Sequence, residues 1–594
     1  MAPKIYTSPL TAPPLANHSV FTHIFAENKA KGTVGGFPSS KPAFIDAATG
    51  TTISRGQLRS LALAFGYGLK AHPNIAAKRG ETAMIFSPNS LTWPVVLFGL
   101  VAAGLRITLA NNAYTAREVA YQYTDSGAKV IFCSEDGVPT ARETLQGLGL
   151  SKDEINKRIV VMTDGLDWAG GPSAPRKPES AGLLSAADLL RLGSLSEEEK
   201  FVGESTNETV YLCYSSGTTG KPKGVETTHK NITTVMDIVA AGVALDPKGE
   251  RMLGFLPFYH IFGAVKLLHW PLTCDVPVYI MARFDPVQFC ANIQKYKITY
   301  ALIVPPVLVA MARHPAIDQY DLSTLVTMIS GAAPLGAELT KAVIARLQTR
   351  RKGQQPLNIL QGYGLTETSP TTHLVPVADG ARKIGSIGVL LPHLQLRLVV
   401  DGEGDGLIDA KVGEPGEIWV KGPSIMKGYL NNKEATDNAI TSDRWFKTGD
   451  IGIRDPEGFY YIVDRRKELI KYKGFQVPPA ELESVLLSHP DIADAAVIGV
   501  DSAKEATELP RAYVVPSSPE TVKTDSERLL FGESIQRWIQ SKVAYHKFLR
   551  GGVVVIDVVP KSAAGKILRR ELRERAKEEL AGRDPADNIV KAKL

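Results

Sequence analysis

Residues 215–225 read SSGTTGKPKGV: the hydroxyls of Ser215, Ser216, Thr218 and Thr219, the glycines Gly217, Gly220 and Gly224, and the ammonium groups of Lys221 and Lys223. A loop of this make-up offers backbone amides and positive charge to phosphate oxygens. The Walker pattern places four residues between its glycines and a hydroxyl residue after its lysine. Here Gly217 and Gly220 stand closer and Pro222 follows Lys221, so a Walker-type nucleotidase is disfavoured. On composition alone, a hairpin without ligand stays open. Other reactive residue types lie far apart: His260 within FYHIFG, Asp450 in a TGD, Arg465 in a DRR, and Lys566 in AGKILRRELRERAK. Alone, each has an ordinary reading: a satisfied core histidine, turn chemistry, a surface ion pair and a solvated basic helix.

The elements around the loop are a strand, ETVYLCYSS, and an amphipathic helix, THKNITTVMDIVAAGVAL, with Thr228 as its cap. The expectation is a glycine-rich turn between strand and helix. Elsewhere β-branched runs such as ETAMIFSPNS, AKVIFCSED and ITYALIVPP alternate with amphipathic stretches, the pattern of a parallel-rich sheet covered by helices. LVVDGEGDGLIDAKVGEPGEIWVKG changes to strands separated by Gly/Asp turns, a small antiparallel, β-barrel-like subdomain. Residues 165–185 read as a surface connection. The expected class is α/β: a large multi-layered N-terminal domain over 1–466 and a mobile smaller α+β domain over 467–594.

The 594 residues exceed a single core. A net charge of +6 without a basic block gives no footprint for nucleic acid. The apolar run 93–105 is interrupted by Pro94 and two glycines and is too short to span a bilayer, so it is expected as a buried helix. Cys133, Cys213, Cys274 and Cys290 show no metal spacing and read as reduced, buried thiols. The N-terminus lacks the patterns of a secretory signal and of a transit peptide. The last three residues, Ala592-Lys593-Leu594, resemble the Ser-Lys-Leu address of the peroxisomal import receptor, with Pro585 releasing the tail into solvent. Peroxisomal import is the expectation, with the cytoplasm as the alternative.

Taken together, the motifs resemble the adenylate-forming superfamily of acyl-CoA synthetases, luciferases and peptide-synthetase adenylation domains, and within it 4-coumarate-CoA ligases and their fungal relatives. SSGTTGKPKGV, LPFYHIFG (256–263), SGAAPLG (330–336), QGYGLTET (361–368), TGD (448–450), DRRKELIKYKGFQVPPAELE (464–483) and PKSAAGKILRREL (560–572) follow the family's order. The resemblance implies a ligase that joins a carboxylate to the α-phosphate of ATP, releases pyrophosphate, and passes the acyl group to coenzyme A. It makes 215–221 the clamp on the β- and γ-phosphates and Lys566 the bridge between acyl and phosphoryl oxygens. Glu367 becomes the Mg²⁺ ligand, with Thr366 on phosphate. Tyr363, with Ala333, Gln361 and Gly362, becomes the adenine site, and Asp450 and Arg465 the ribose site. His260 borders the acyl carboxylate and gates the thiol channel, with general-base action as an alternative.

Because Lys566 must leave before a thiol enters, the resemblance also implies a lid that rotates about Lys467. Rotation presents KYKGFQ, with Lys471 and Gln476 near the adenylate, Lys473, Gly474 and Phe475 along pantetheine, and Arg283 at the CoA nucleotide. The acyl pocket is carried by Tyr259, Gly263, Lys266, Gly331, Gly364, Pro370, Thr371 and Leu374. The glycines at 331 and 364 are expected to leave room for a flat ring or extended chain, an aryl acid such as 4-coumarate or a medium-chain fatty acid. Lys266 is unusual there, since an unpaired buried ammonium is costly. It is expected to point outward, the alternative being a polar or anionic substrate tail. Asn112, where relatives carry proline, and Arg466 in place of leucine are further departures. The rival activities are a luciferase-like oxygenase, a stand-alone enzyme loading a carrier protein, and a non-enzymatic nucleotide-binding regulator.

Overall fold

The fold is seen in a computed structural model that describes residues 3–215, 222–243, 245–246, 248–333, 335–349, 355–400, 408–473, 475–562 and 565–588. Residues 216–221, Gly474 and the terminal Ala592-Lys593-Leu594 therefore lie outside the described residues.

Two large mixed sheets form the body. In the first, Leu184–Ser185, Ile159–Met162, Ala128–Ser134, Thr82–Phe86, Arg106–Ala110 and Thr209–Ser215 run parallel, and Lys223–Thr228 and Gly428–Tyr429 close the edge antiparallel. In the second, Asn358–Gly364, Thr327–Ser330, Tyr300–Ile303, Met252–Gly254, Val278–Ile280 and Pro42–Asp46 are parallel neighbours. Buried on both faces, these strands are continuous apolar runs. The helix Thr92–Ala102 is buried along its whole length, as its composition predicts. Pro94 is tolerated in the first turn, where its missing N–H has no partner to lose.

The Gly/Asp-rich region forms a half-barrel of five antiparallel strands: Tyr6–Thr7, Gln395–Val399, Gly416–Lys421, Phe446–Arg454 and Tyr460–Arg465. A second hydrophobic core extends from Ile470 to Ala576, separate from the first, which ends at Tyr460. Its sheet of Ile492–Ser502, Thr507–Pro516 and Val553–Val555 is accompanied by a hairpin, Ile470–Tyr472 with Phe475–Val477. No helix among the described residues is long and apolar enough to cross a membrane. The four cysteines are free, and all but the half-exposed Cys274 are buried.

One local expectation fails. The phosphate-type loop joins strand to strand, with Ser215 paired to Lys223, before the helix His229–Gly242 begins behind its Thr228 cap. The segment KGVETT had enough β-branched and alternating character to continue the sheet edge. Pro585 itself is buried in a short turn, Pro585–Asn588, whose neighbour Asp584 accepts from Ser502 at 2.7 Å, and the tail it was expected to release lies outside the described residues.

Candidate active site

The nucleotide-side residues are assembled by two hairpins. In the first, Phe446–Arg454 and Tyr460–Arg465 pair so that Asp450 lies opposite Arg465. Their turn is fixed by Asp455, whose carboxylate accepts from Phe459 N at 2.9 Å, and by Gly458 at φ +93°. Arg465 Nε stands 3.3 Å from Asp450 Oδ1, and the buried Asp450 accepts from the Tyr363 hydroxyl at 2.6 Å. Burial, then the Asp450 charge, pushes the Tyr363 phenol well above its ordinary range, so it remains a donor.

The second hairpin pairs Asn358–Gly364 with Thr371–Leu374. The turn Thr366–Thr368 at its head presents Glu367, and Leu365 N donates to Thr368 Oγ1 at 2.9 Å. Glu367 Oε1 accepts from Ser215 Oγ at 3.1 Å and from the Tyr429 hydroxyl at 2.9 Å. The carboxylate is thereby tied to the root of the 216–221 loop. Gln361 opposes Ser330 in the parallel ladder, and Gly362 lies against Leu374. Ala333 is half-buried two residues beyond Gly331.

Lys566 enters from the second core. Its amine is lowered to about 8, first by burial and then by the Arg465 charge, against which Asp450, Glu468 and Glu367 act. His260 is lowered to about 4 by burial and by the Lys566 charge. These effects place Lys566 among residues from both hairpins and the FYHIFG segment. His260 Nδ1 accepts from Phe262 N at 3.2 Å, which leaves the proton of the neutral ring on Nε2. The ring is thus a donor toward its other side and is poorly set to accept a proton there.

The large body and the second unit are also tied to each other directly. Arg313 of the large body donates to the carbonyls of Ile492 and, at 3.3 Å, of Leu487, both in the second unit. Within that unit Arg573 meets Glu468 at 2.5 Å.

The CoA-side candidates are not brought to this centre. Lys471, Lys473, Phe475 and Gln476 lie exposed on the hairpin. Lys473 pairs with Glu505 at 2.6 Å, and Phe475 stacks on His546 at 4.6 Å. Lys467 is exposed in the turn after Arg465, and Arg283 is exposed on the large body.

The acyl-side residues depart most from expectation. Lys266 does not point outward: it is 1% exposed in a π-helical stretch, Ala264–His269, with Nζ 4.5 Å above the Trp270 ring. Burial lowers its amine to about 7, so the cost of an unpaired charge is relieved by losing the proton. Nor do the glycines open a simple cavity. A Cβ on Gly364 would meet Pro370 O at 1.7 Å, one on Gly263 would meet Pro257 O at 2.1 Å, and one on Gly331 would meet the Phe262 ring at 3.1 Å. The first two are required by close backbone approach, and Phe262 fills the space over the third. Thr371 and Leu374 are buried, Pro370 likewise, and Tyr259 is half-buried.

Sequence reasoning missed Tyr429, Phe262 and Glu468. A lone tyrosine distant in sequence from Glu367 gives no local signal; the strand Gly428–Tyr429 reaches it only by pairing with Lys223–Thr228.

Comparison with known proteins shows the family and the fold. A profile of AMP-binding enzymes matches residues 31–430, and one of the AMP-binding enzyme C-terminal domain matches 481–566. The chain is 43% identical over 84% of its length to a probable 4-coumarate-CoA ligase 1 of Dictyostelium discoideum, covering 86% of that protein. It is 35% identical over 90% to 4-coumarate-CoA ligase 1 of Narcissus pseudonarcissus, covering 91%. Among solved structures, ATP-bound MatB from Rhodopseudomonas palustris superposes with a TM-score of 0.76 at 25% identity, over 95% of this chain and 100% of that one. An anthranilate CoA ligase in complex with anthranoyl-AMP shares the fold with a TM-score of 0.79 at 23% identity, over 96% and 99%.

Proposed function

Since the chain belongs to the AMP-binding enzyme family, as an adenylate-forming acyl-CoA ligase similar to 4-coumarate-CoA ligases, we propose that it activates an aryl or phenylpropanoid acid, or a medium-chain fatty acid, in two steps divided between two positions of its lid. The observation that carries this reading is Lys566, drawn from the second core into the centre that also holds Asp450, Arg465, Glu367 and His260.

In the first step the acid's carboxylate oxygen forms a bond to the α-phosphorus of ATP, and the bond from that phosphorus to the β-phosphate bridging oxygen breaks. Both reactants are anions, so the ammonium of Lys566 lowers the barrier by standing where negative charge builds. Tyr363 bounds the adenine, and the Asp450 carboxylate takes the ribose hydroxyls in exchange for the Tyr363 hydroxyl. Among the described residues no group of three or more His, Cys, Asp and Glu side chains could hold a metal. Glu367, a carboxylate oriented by Ser215 and Tyr429, would hold a Mg²⁺ through its oxygens. Such an ion would offset charge on the departing pyrophosphate.

In the second step the CoA sulfur bonds to the acyl carbon, AMP leaves with the electrons of the anhydride C–O bond, and the thiol proton is lost to solvent. Lys566 blocks that approach while it is in place. Withdrawal about Lys467 brings Lys471 and Gln476 to the adenylate and Lys473, Gly474 and Phe475 to the pantetheine arm, with Arg283 at the CoA nucleotide. His260, neutral and with Nδ1 engaged, orients the carboxyl group and gates the channel.

Pyrophosphate release across a panel of aryl and medium-chain acids, with and without CoA, tests the proposal. Acid-dependent release followed by CoA-dependent thioester is expected. Release without thioester would move the acceptor to a carrier protein, and no release with any acid would reject the ligase reading.

A further inference from the structure

One helix of the large body, Pro305–Arg313, meets the second unit at both of its ends. At its start, Pro306 lies against the turn that carries Lys566: a Cβ on Gly565, at φ +79°, would stand 3.2 Å from Pro306 Cγ and 3.6 Å from Val304 Cγ2. At its end, the Arg313 guanidinium donates to three acceptors of the second unit: the carbonyl of Ile492, that of Leu487 at 3.3 Å, and Ser517 Oγ at 3.3 Å. Leu487 is the last residue of the helix Pro479–Leu487, where free carbonyls and the negative end of the helix dipole favour a cation.

The base that presents Arg313 is firm. Arg346 donates to Met311 O at 2.9 Å and to His314 O at 3.1 Å, on either side of Arg313. Arg313 itself is exposed, and surface changes of this kind cost a domain little of its own stability.

On the other side, the acceptors are joined to Lys566 by short contacts. Ile492 opens the strand Ile492–Ser502, and two residues along it Asp494 accepts from Lys561 on both oxygens, at 2.8 and 2.6 Å. Lys561 forms a β-bridge with Ile567, the residue after Lys566. Lys566 N donates to Ser562 Oγ at 3.2 Å, and Ser562 N donates to Lys566 O at 2.8 Å. Ser517 is fixed to the same corner, its N–H donating to Asp491 O at 2.8 Å and its hydroxyl to Pro490 O at 3.0 Å.

From this geometry we propose that Arg313 is a positioning residue for adenylate formation: by clasping Leu487, Ile492 and Ser517 it seats the second unit where Lys566 reaches the reacting groups, and it lets go when that unit rotates for thioester formation. The inference rests on the ligase reading. Contacts made in one lid position weight that position against the other, so their loss falls on one half-reaction.

Single-turnover rapid quench on Arg313→Ala, with 4-coumarate or octanoate as the native enzyme accepts, tests this role. The variant should form acyl-adenylate roughly tenfold more slowly, yet convert supplied acyl-adenylate and CoA to thioester at least as fast as the native enzyme. Arg313→Lys, which keeps the charge and loses the fork, should recover part of the loss. Native rates in both half-reactions, or equal loss in both, overturns the inference while leaving the ligase intact. A second readout needs no turnover. Spin labels on Val287→Cys of the body and Leu529→Cys of the second unit, both exposed, report the lid position by pulsed dipolar spectroscopy in a Cys274→Ser background. Native protein with ATP should give one dominant distance, and Arg313→Ala a broader or shifted distribution; identical distributions overturn the inference. If no acid releases pyrophosphate, the ligase reading falls, and this distance still decides whether Arg313 seats the unit. Should Arg313→Ala not fold, Ser517→Ala, which removes one acceptor, must show a smaller change in the same direction.

Discussion

The two sides of the site are built in opposite ways. On the nucleotide side every carboxylate is already held: Asp450 by Tyr363 and Arg465, Glu367 by Ser215 and Tyr429. On the acyl side Lys266 Nζ, Trp270 Nε1 and Tyr300 Oη have no hydrogen-bond partner among the described residues, and Lys266 has only the Trp270 face. A preorganised half suits a step whose charge pattern is the same for every acid. A half without such partners leaves Lys266 to shed its proton instead, as burial pushes its amine down to about 7.

The comparison is tested first where the effect is largest. Lys566→Ala should lower acid-dependent pyrophosphate release by roughly a hundred- to a thousandfold, with ATP binding retained through Asp450 and Tyr363. A loss confined to KM for ATP would move Lys566 out of the chemical step.

The second test is pH. The Lys566 amine lies near 8, below its ordinary value, and the ammonium is the working form. Adenylate formation should therefore hold below about pH 8 and fall about tenfold per unit above it. His260, lowered to about 4, should give no limb near neutrality. A rate flat to about pH 10 would contradict the assignment.

Tyr429→Phe removes one of two donors to Glu367. A loss of about 1 kcal/mol, roughly fivefold in kcat/KM, is expected, together with a raised Mg²⁺ requirement. An unaltered Mg²⁺ titration would show that Ser215 alone orients the carboxylate.

The smallest effect belongs to the acyl side. With a folded value near 7 against an ordinary 10.5, Lys266 binds fewer protons folded than unfolded between those limits. The native protein should gain stability as pH rises through that window. Lys266→Met, lacking the slope, should show its greatest Tm advantage at about pH 6 and lose it toward about pH 10. A constant offset in thermal melts would mean that the lysine is hydrated.

Much of the frame was legible from local pattern. The all-apolar run gave the helix Thr92–Ala102, the alternation gave Thr209–Ser215, and Gly/Asp punctuation gave the half-barrel. The ordered motifs gave the gathering of Lys566, Glu367, Asp450 and His260. What escaped depends on three-dimensional neighbours. Lys266 looked too costly to bury because the proton loss and the Trp270 face that make burial tolerable are properties of the packed site. Gly364 looked like room for substrate because only the fold brings Pro370 O into the place of its missing side chain. Tyr429 reaches Glu367 through a long-range strand pairing that no short window contains.

The central claim is the division of labour between two lid positions, and single-turnover rapid quench on Lys566→Ala tests it most directly. Given ATP and acid, the variant should form almost no acyl-adenylate; given acyl-adenylate and CoA, it should form thioester at close to the native rate. Equal loss of both half-reactions would contradict the account.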